Sequence, residues 1–257
     1  MRLGVAIPMF NEAASIRPTL DALIAQSDRD FFVVFCDNAS TDGSAEVVRN
    51  HLGESGLEFE VVVEKQKGTG AAADTAVRRV IELGATHIAR TDADCLPRAD
   101  WVARIKETFA QTDLVMLAGY TPVRTDEFPV SLARRAVLRV AFDAARLFGM
   151  FRPSNYGDGL KGRYVMSSGN NLAIQAETYV EVGGFPRTKI EDVHEDRGLV
   201  LRVRRLTPKI GYRKDIVVFA SARRLQAWGL RNTLKWYANH SYRPAHVDIR
   251  LSDGKNE

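Results

Sequence analysis

Two cysteines, Cys36 and Cys95, are all that this chain of 257 residues carries. A pair so far apart in sequence provides neither a disulfide framework nor the close spacing of a metal knuckle, and it suits a reducing compartment. Long apolar runs are also missing: nothing approaches the roughly 18 to 20 uninterrupted residues that a membrane-spanning helix needs. The opening "LGVAIPMF" is interrupted by Pro8 and lacks the apolar length and cleavage site of a signal peptide, so it reads as a first β-strand. Internal repeats are absent, and the only low-complexity stretch is the short polar end "SDGKNE". A net charge of +4 is too small to select nucleic acid, an acidic lipid surface or a nucleotide on its own.

With 45% hydrophobic and 26% charged residues the composition is that of a globular protein. The length is enough to bury a sizeable core as one large domain, with or without an appended subdomain. Short continuous apolar runs alternate with helical segments through the first half. "LGVAIP" (3–8) leads to a helix expected to be capped by Ser15 with Pro18 in its first turn, and "FFVVFC" (31–36) to a helix over 44–51. "LEFEVVVE" (57–64) leads to a helix over 71–83. "THIAR" (86–90) precedes a helix starting near Pro97, and "LVMLAGY" (114–120) follows it. This alternation predicts an α/β fold, a mostly parallel sheet with helices on both faces. Ligands in such sheets bind at the carboxyl ends of the strands. The polar clusters Asn11-Glu12, Asp37-Asn38, Lys65 to Gly70 and Asp92-Ala93-Asp94 all follow apolar runs, so they should gather on one sheet edge.

Beyond residue 121 the alternation breaks down. Residues 130–151 read as a long helix with Arg135, Arg139, Asp143 and Arg146 in a narrow polar stripe and apolar residues around the rest. The favoured reading packs most of that circumference; the alternative is an interfacial helix that meets a membrane or a partner.

Asp92 and Asp94, at the end of a strand, suit an oxygen-seeking divalent cation such as Mn²⁺ or Mg²⁺ that substrate phosphates would also hold. Capping of the following helix is the plainer reading. Gly68, Gly70 and Ala73 form a G-x-G-x-x-A pattern, the form of a dinucleotide fingerprint, but two strands precede it where the fingerprint opens its domain. In "EDVHED", Glu191 and Asp192 suit a helix N-terminus, and Asp196 has the alternative of acting as a general base.

Five blocks in order, "VAIPMFNEAASI", "FCDNASTDGSAEVV", "TDADCLPRADWV", "SSGNNLAIQAETYVEVGGFP" and "EDRGLVLRVRR", resemble the family 2 glycosyltransferases of GT-A fold across residues 3 to 205. The resemblance implies a Rossmann-like donor-binding half over 1–120 and a mixed α/β half over 121–257 for the acceptor and catalytic base. It also implies that Pro8, Asn11 and Glu12 lie along the donor nucleotide, with Asp37 and Asn38 near its base or ribose. Asp92 and Asp94 match the family's D-x-D, which binds the diphosphate through a divalent cation. Ser168, Gly169, Asn170 and Asn171 match the loop near the transferred sugar, and Asp196 of the Glu195-Asp196 pair matches the base.

The family's frequent Arg-Asn in the third βα turn is Ala73-Asp74 here, so a basic donor contact is either missing or supplied by Lys65, Lys67 or Arg163. His240 and His246 are candidates for a third metal ligand. The Gln-x-x-Arg-Trp motif of processive synthases is absent, which suggests one sugar per encounter. The implied partners are a nucleotide sugar, with UDP favoured, and a glycan or glycolipid acceptor, as in bacterial surface polysaccharide assembly. No nucleic acid is expected. The implied location is cytoplasmic, with peripheral contact at the inner face of a membrane and a homodimer as further expectations. The competing classes are a nucleotidyltransferase on sugar phosphates, a dinucleotide oxidoreductase and a noncatalytic nucleotide-sugar binding protein.

Overall fold

The computed structural model describes residues 1–128, 130–187 and 195–239. The elements run β1 (Leu3–Met9), α1 (Arg17–Ile24), β2 (Phe31–Asp37), α2 (Ser44–Leu52), β3 (Glu58–Val63), α3 (Thr69–Glu82), β4 (His87–Arg90), β5 (Leu96–Pro97), α4 (Trp101–Gln111) and β6 (Met116–Tyr120). There follow α5 (Leu132–Gly149), a 3₁₀ turn (Pro153–Asn155), β7 (Leu172–Gln175), α6 (Ala176–Glu181), α7 (Glu195–Leu206), β8 (Ile210–Phe219) and α8 (Arg223–Asn239). The strands form one sheet in the order β3-β2-β1-β4-β7-β6-β8-β5. β3, β2, β1 and β4 are mutually parallel, whereas β7 runs antiparallel to both β4 and β6.

Period-two alternation explains the two cores. Leu3, Val5, Ile7, Val33 and Phe35 point to the face covered by Leu20 and Leu23 of α1, Val48 of α2 and Trp101 and Ile105 of α4. Ala6, Phe32, Val34 and Ile88 point to the other face, against Ala72, Ala76 and Val80 of α3 and Leu199 and Val203 of α7. A small residue lets α3 approach closely: a Cβ at Gly4 would collide with the Val80 side chain of α3. Pro8 pairs only with Cys36 of β2, beyond Ala6 where β4 leaves β1, so its missing N–H breaks no bond to β4.

Three local expectations differ from the structure. The N-cap of α1 is Ile16 and no side chain caps it, while the Ser15 hydroxyl donates to the Glu12 carboxylate. Pro97 lies in the two-residue strand β5, paired with Val218 of β8, and α4 begins only at Trp101. The reading of α5 as packed over most of its circumference is overturned. The helix has no buried residue, and Leu132, Val137, Val140, Leu147 and Phe148 are exposed. Apolar periodicity does not always face a core: among the described residues one flank of α5 meets the body, with Phe142 against Tyr120 and Arg146 over Tyr212.

Candidate active site

The ends of β1, β2, β3 and β4 bring the four polar clusters to one edge, and hydrogen bonds between the loops fix them there. Asn11 adopts a left-handed φ of 51°, a conformation its short polar side chain tolerates. Its N–H donates to Ser40 Oγ at 2.9 Å, and its Oδ1 accepts the Thr41 N–H at 2.8 Å. The Glu12 N–H donates to Ser44 Oγ (2.8 Å) and the Ala13 N–H to Asp42 (2.9 Å). Asp37, buried, accepts the Ser40 N–H at 2.9 Å. Asn38 clips the third loop to the second: its amide donates to the Glu64 and Gln66 carbonyls and accepts the Gly68 N–H, at 2.8 to 2.9 Å.

Asp92 and Asp94 follow β4 and are partly exposed, with buried Ala93 between them. Each carboxylate rests on a buried arginine that the sequence reading passed over. Arg223, the first residue of α8, pairs with Asp94 and donates to Glu12 Oε1 at 2.9 Å. Burial would raise the Asp94 pKa, but the charge and hydrogen bond of Arg223 outweigh it and hold Asp94 below its ordinary value. Glu12 is pushed up, by burial first and by Asp94 second. Arg90 ends β4 in full burial, with Nη2 at 3.4 Å from Asp92 and 3.1 Å from Glu195 and its guanidinium 4.9 Å from the Phe185 ring centroid. Gly169 packs on that guanidinium; a Cβ there would lie 3.0 Å from Arg90 Cζ. The signal for Arg90 was present in "THIAR": a charge that ends a strand buried on both faces must be paired.

Asp196 lies in the first turn of α7, next to Glu195. Its carboxylate accepts the Arg197 N–H at 2.6 Å and the Gly169 N–H from the 168–171 loop. Burial, reinforced by the negative charge of Glu195, raises its pKa to about 6. A carboxyl tuned to that range is matched to proton abstraction near neutral pH. Arg90 thus carries Asp92 and Glu195 on a single guanidinium, joining the D-x-D to the turn that presents Asp196.

The remaining predicted residues divide by what they touch. Ser168 is half-buried, and Asn170 is buried with its amide 3.4 Å from Cys95 Sγ, beside the D-x-D. Asn170 Oδ1 has no hydrogen-bond partner among the described residues. Asn171, wholly buried, accepts from Trp101 Nε1 (3.0 Å) and donates to the Tyr120 (2.9 Å) and Ile216 (3.1 Å) carbonyls, so its amide holds the fold. Lys67 is exposed, 6.0 Å from the Phe10 ring centroid, and Lys65 and Arg163 are also exposed. In the third βα turn the buried Asp74 accepts from Tyr179 (2.9 Å), Arg78 (2.8 Å) and Arg187 (3.2 Å). Arg187 also reaches Glu64 at 2.5 Å and is the unforeseen basic group of this turn. Glu191, Asp192, His194, His240 and His246 lie outside the described residues.

Ligand atoms of Asp92, Asp94 and Cys95 lie within 4.8 Å of one another. Burial, then Asp94 and Asp92, push the Cys95 thiol well above its ordinary value, so it stays protonated. The donor set therefore fits a hard cation on two carboxylates whose other positions go to water and phosphate oxygens, and it does not fit a thiolate-seeking metal.

Comparison with known proteins gives the family and the fold. The model of glycosyl transferase family 2 matches residues 4–162, more than half of the chain, and the chain belongs to that family. Glycosyltransferase AglE of Haloferax volcanii is 27% identical over 197 residues, covering 75% of this chain and 59% of that protein. The mannosyltransferase PcManGT of Pyrobaculum calidifontis, solved with GDP-Man and Mn²⁺, superposes with a TM-score of 0.65 at 21% identity, covering 91% of this chain and 60% of that one. S. aureus TarS 1-349, solved with UDP, gives a TM-score of 0.62 at 14% identity, covering 91% and 64%. The fold is GT-A, and the chain spans about three-fifths of the length of these relatives.

Proposed function

We propose that this chain moves one sugar per encounter from a nucleoside diphosphate sugar, with UDP favoured, to a hydroxyl of a glycan or glycolipid, inverting the anomeric centre. Residues 1–120 would hold the donor and 121–257 the acceptor and base. Asp196 takes the proton of the acceptor hydroxyl as its oxygen bonds to the anomeric carbon, while the bond from that carbon to the diphosphate oxygen breaks and the nucleoside diphosphate leaves. General-base assistance of this kind is worth roughly 10²–10⁴ in rate. Asp92 and Asp94 would hold Mn²⁺ or Mg²⁺, which supplies neutralising charge to the diphosphate. Arg90 keeps Asp92 and Glu195 in register, and the loops of Asn11, Glu12, Asp37 and Asn38 line the donor side. Among the described residues no helix is long and apolar enough to cross a membrane; we read the enzyme as cytoplasmic.

The observation that carries this reading is a half-buried carboxyl, bonded to the Gly169 N–H, whose pKa is raised to about 6 and which Gly169 and Arg90 tie to the Asp92 side of the edge. The fold shared with proteins solved with UDP and with GDP-Man and Mn²⁺ supports it. Titration calorimetry with UDP, GDP and NAD, with and without Mn²⁺, tests it. Metal-dependent UDP binding that survives Asp196→Asn while transfer disappears is expected. Loss of metal-dependent binding is expected for Asp94→Ala, and tight metal-free NAD binding would overturn the assignment.

A further inference from the structure

Helix α5 is built the wrong way out for a water-facing helix. Turned at 100° per residue, Ala136, Leu147, Val140, Ala133, Ala144, Val137 and Phe148 fill an arc of roughly 120° with no polar side chain, and Leu132 lies just beyond Asp143 at its edge. Leu132 is 79% exposed, Val140 69% and Phe148 71%, and Phe151 just beyond the helix is 74% exposed. The opposite flank, with Leu138 and Phe142, is the one that meets the protein body. Exposed Arg134 borders one side of the apolar arc, and the other is bordered by the stripe of Asp143, Arg139, Arg146 and Arg135, of which Arg139 and Arg135 are exposed. Residues 130–152 hold five arginines and one acid, Asp143, which lies 3.8 Å from Arg146.

We propose that this face docks on the interfacial layer of an anionic phospholipid bilayer. A bilayer offers the two things the face displays a need for: apolar depth beneath the arc and negative headgroups level with the flanking guanidinium groups. A second copy of the chain fits less well, because pairing two such faces would crowd six exposed arginines with no free acid on either helix. The docking stands on α5 alone; its functional consequence rests on the sugar-transfer reading. After α5, Asn155 of the 3₁₀ turn donates to the Gly149 carbonyl (2.8 Å) and accepts from Arg197 (2.9 Å), the residue after Asp196. A bilayer under α5 therefore sits beside the turn that carries the proposed base, the geometry a lipid-linked acceptor requires.

Cosedimentation of the full chain with phosphatidylcholine vesicles, with and without phosphatidylglycerol, at about 0.05 M and about 0.5 M salt tests this without any sugar nucleotide. Binding to the anionic vesicles at low salt, weakened at high salt, is expected. The double variant Val140→Asp/Phe148→Asp should lower the bound fraction about tenfold or more, and Arg134→Glu/Arg139→Glu should remove the preference for anionic lipid. Circular dichroism melts that match the parent exclude misfolding of the variants. No sedimentation at low salt, or sedimentation indifferent to Val140→Asp/Phe148→Asp, would overturn the proposal. A dimer in light scattering that the same double variant dissolves would assign the face to a second copy and overturn it equally. None of these results bears on donor binding, so failure here leaves the proposed chemistry standing.

Discussion

The carboxyl edge of the sheet and helix α5 handle polarity in opposite ways. At the edge, charged and amide side chains lie inside, and most are clamped to one another: Glu12 and Asp94 on Arg223, Asp92 and Glu195 on Arg90, Asn38 on three main-chain groups. On α5, apolar side chains stand exposed, with none of the described residues over them. A chain selected only for stability would do neither, since buried ion pairs barely offset their desolvation and exposed apolar arcs invite association. The two inversions mark two surfaces. On the proposed reading the first is held rigid to meet a charged small molecule, and the second is left open to meet an extended apolar one.

If the edge is a rigid clamp, its arginines should be costly to remove. Arg90→Met leaves Asp92 and Glu195 without their shared cation in a buried setting, and removing one partner of a buried pair costs about 3–5 kcal/mol. Urea denaturation should show a loss of that size. A loss below about 1 kcal/mol would mean that water compensates Arg90 and that the edge is looser than its geometry. Asn171→Ala should come next, at about 2–4 kcal/mol, because it orphans the Trp101 indole N–H and two buried carbonyls at once. Near-parent stability for that variant would break the division of the 168–171 loop into Asn170 beside the site and Asn171 in the fold.

Much of the first 120 residues was legible in the sequence because each strand is a short apolar run ended by a polar cluster, and parallel strands oblige those ends to converge. The partners of the clusters were not legible. Arg223 is 129 residues from Asp94 and Glu195 is 105 from Arg90, and no periodicity encodes a contact over that separation. The start of α4 was missed because Pro97 suits a helix N-terminus as well as it suits the edge strand it occupies. On α5 the polar stripe was legible but the extent of its packing was not, since a helical wheel has no compass: the positions of Tyr120 and Tyr212 say which flank faces the body.

Asp196 gives a smaller effect with a definite sign. Its carboxyl has a pKa of about 6 in the folded protein against an ordinary value of 3.8. The folded state thus binds the proton more tightly than the unfolded chain, and stability contributed by the protonated form is lost as pH rises from about 4 through about 6. A permanently neutral Asn escapes that loss. Asp196→Asn should match the parent near pH 4 and exceed it by roughly 2–3 kcal/mol at pH 8, at 1.36 kcal/mol per pKa unit. In the same range the parent's kcat/KM should fall about tenfold per pH unit below 6, as expected when the base must be ionised. A variant no more stable than the parent at pH 8 would show that Asp196 is not desolvated, and the contrast between a dry edge and an open α5 would lose its sharpest point.

The smallest expected effect discriminates best between the two regions. Val140→Asp and Phe148→Asp place charges where side chains already face solvent, so each should change stability by no more than about 0.5 kcal/mol. The same kind of change on the opposite flank, Phe142→Asp, would remove a half-buried ring contact and set a carboxylate against Tyr120, and should cost more, about 1–2 kcal/mol. Thermal melts of the three variants in the absence of lipid make the comparison directly. Equal losses at Val140 and Phe142 would mean that the outer face is covered in solution by some part of the protein itself. A large loss only at Phe142 fixes which way α5 faces and leaves its apolar arc available to a partner.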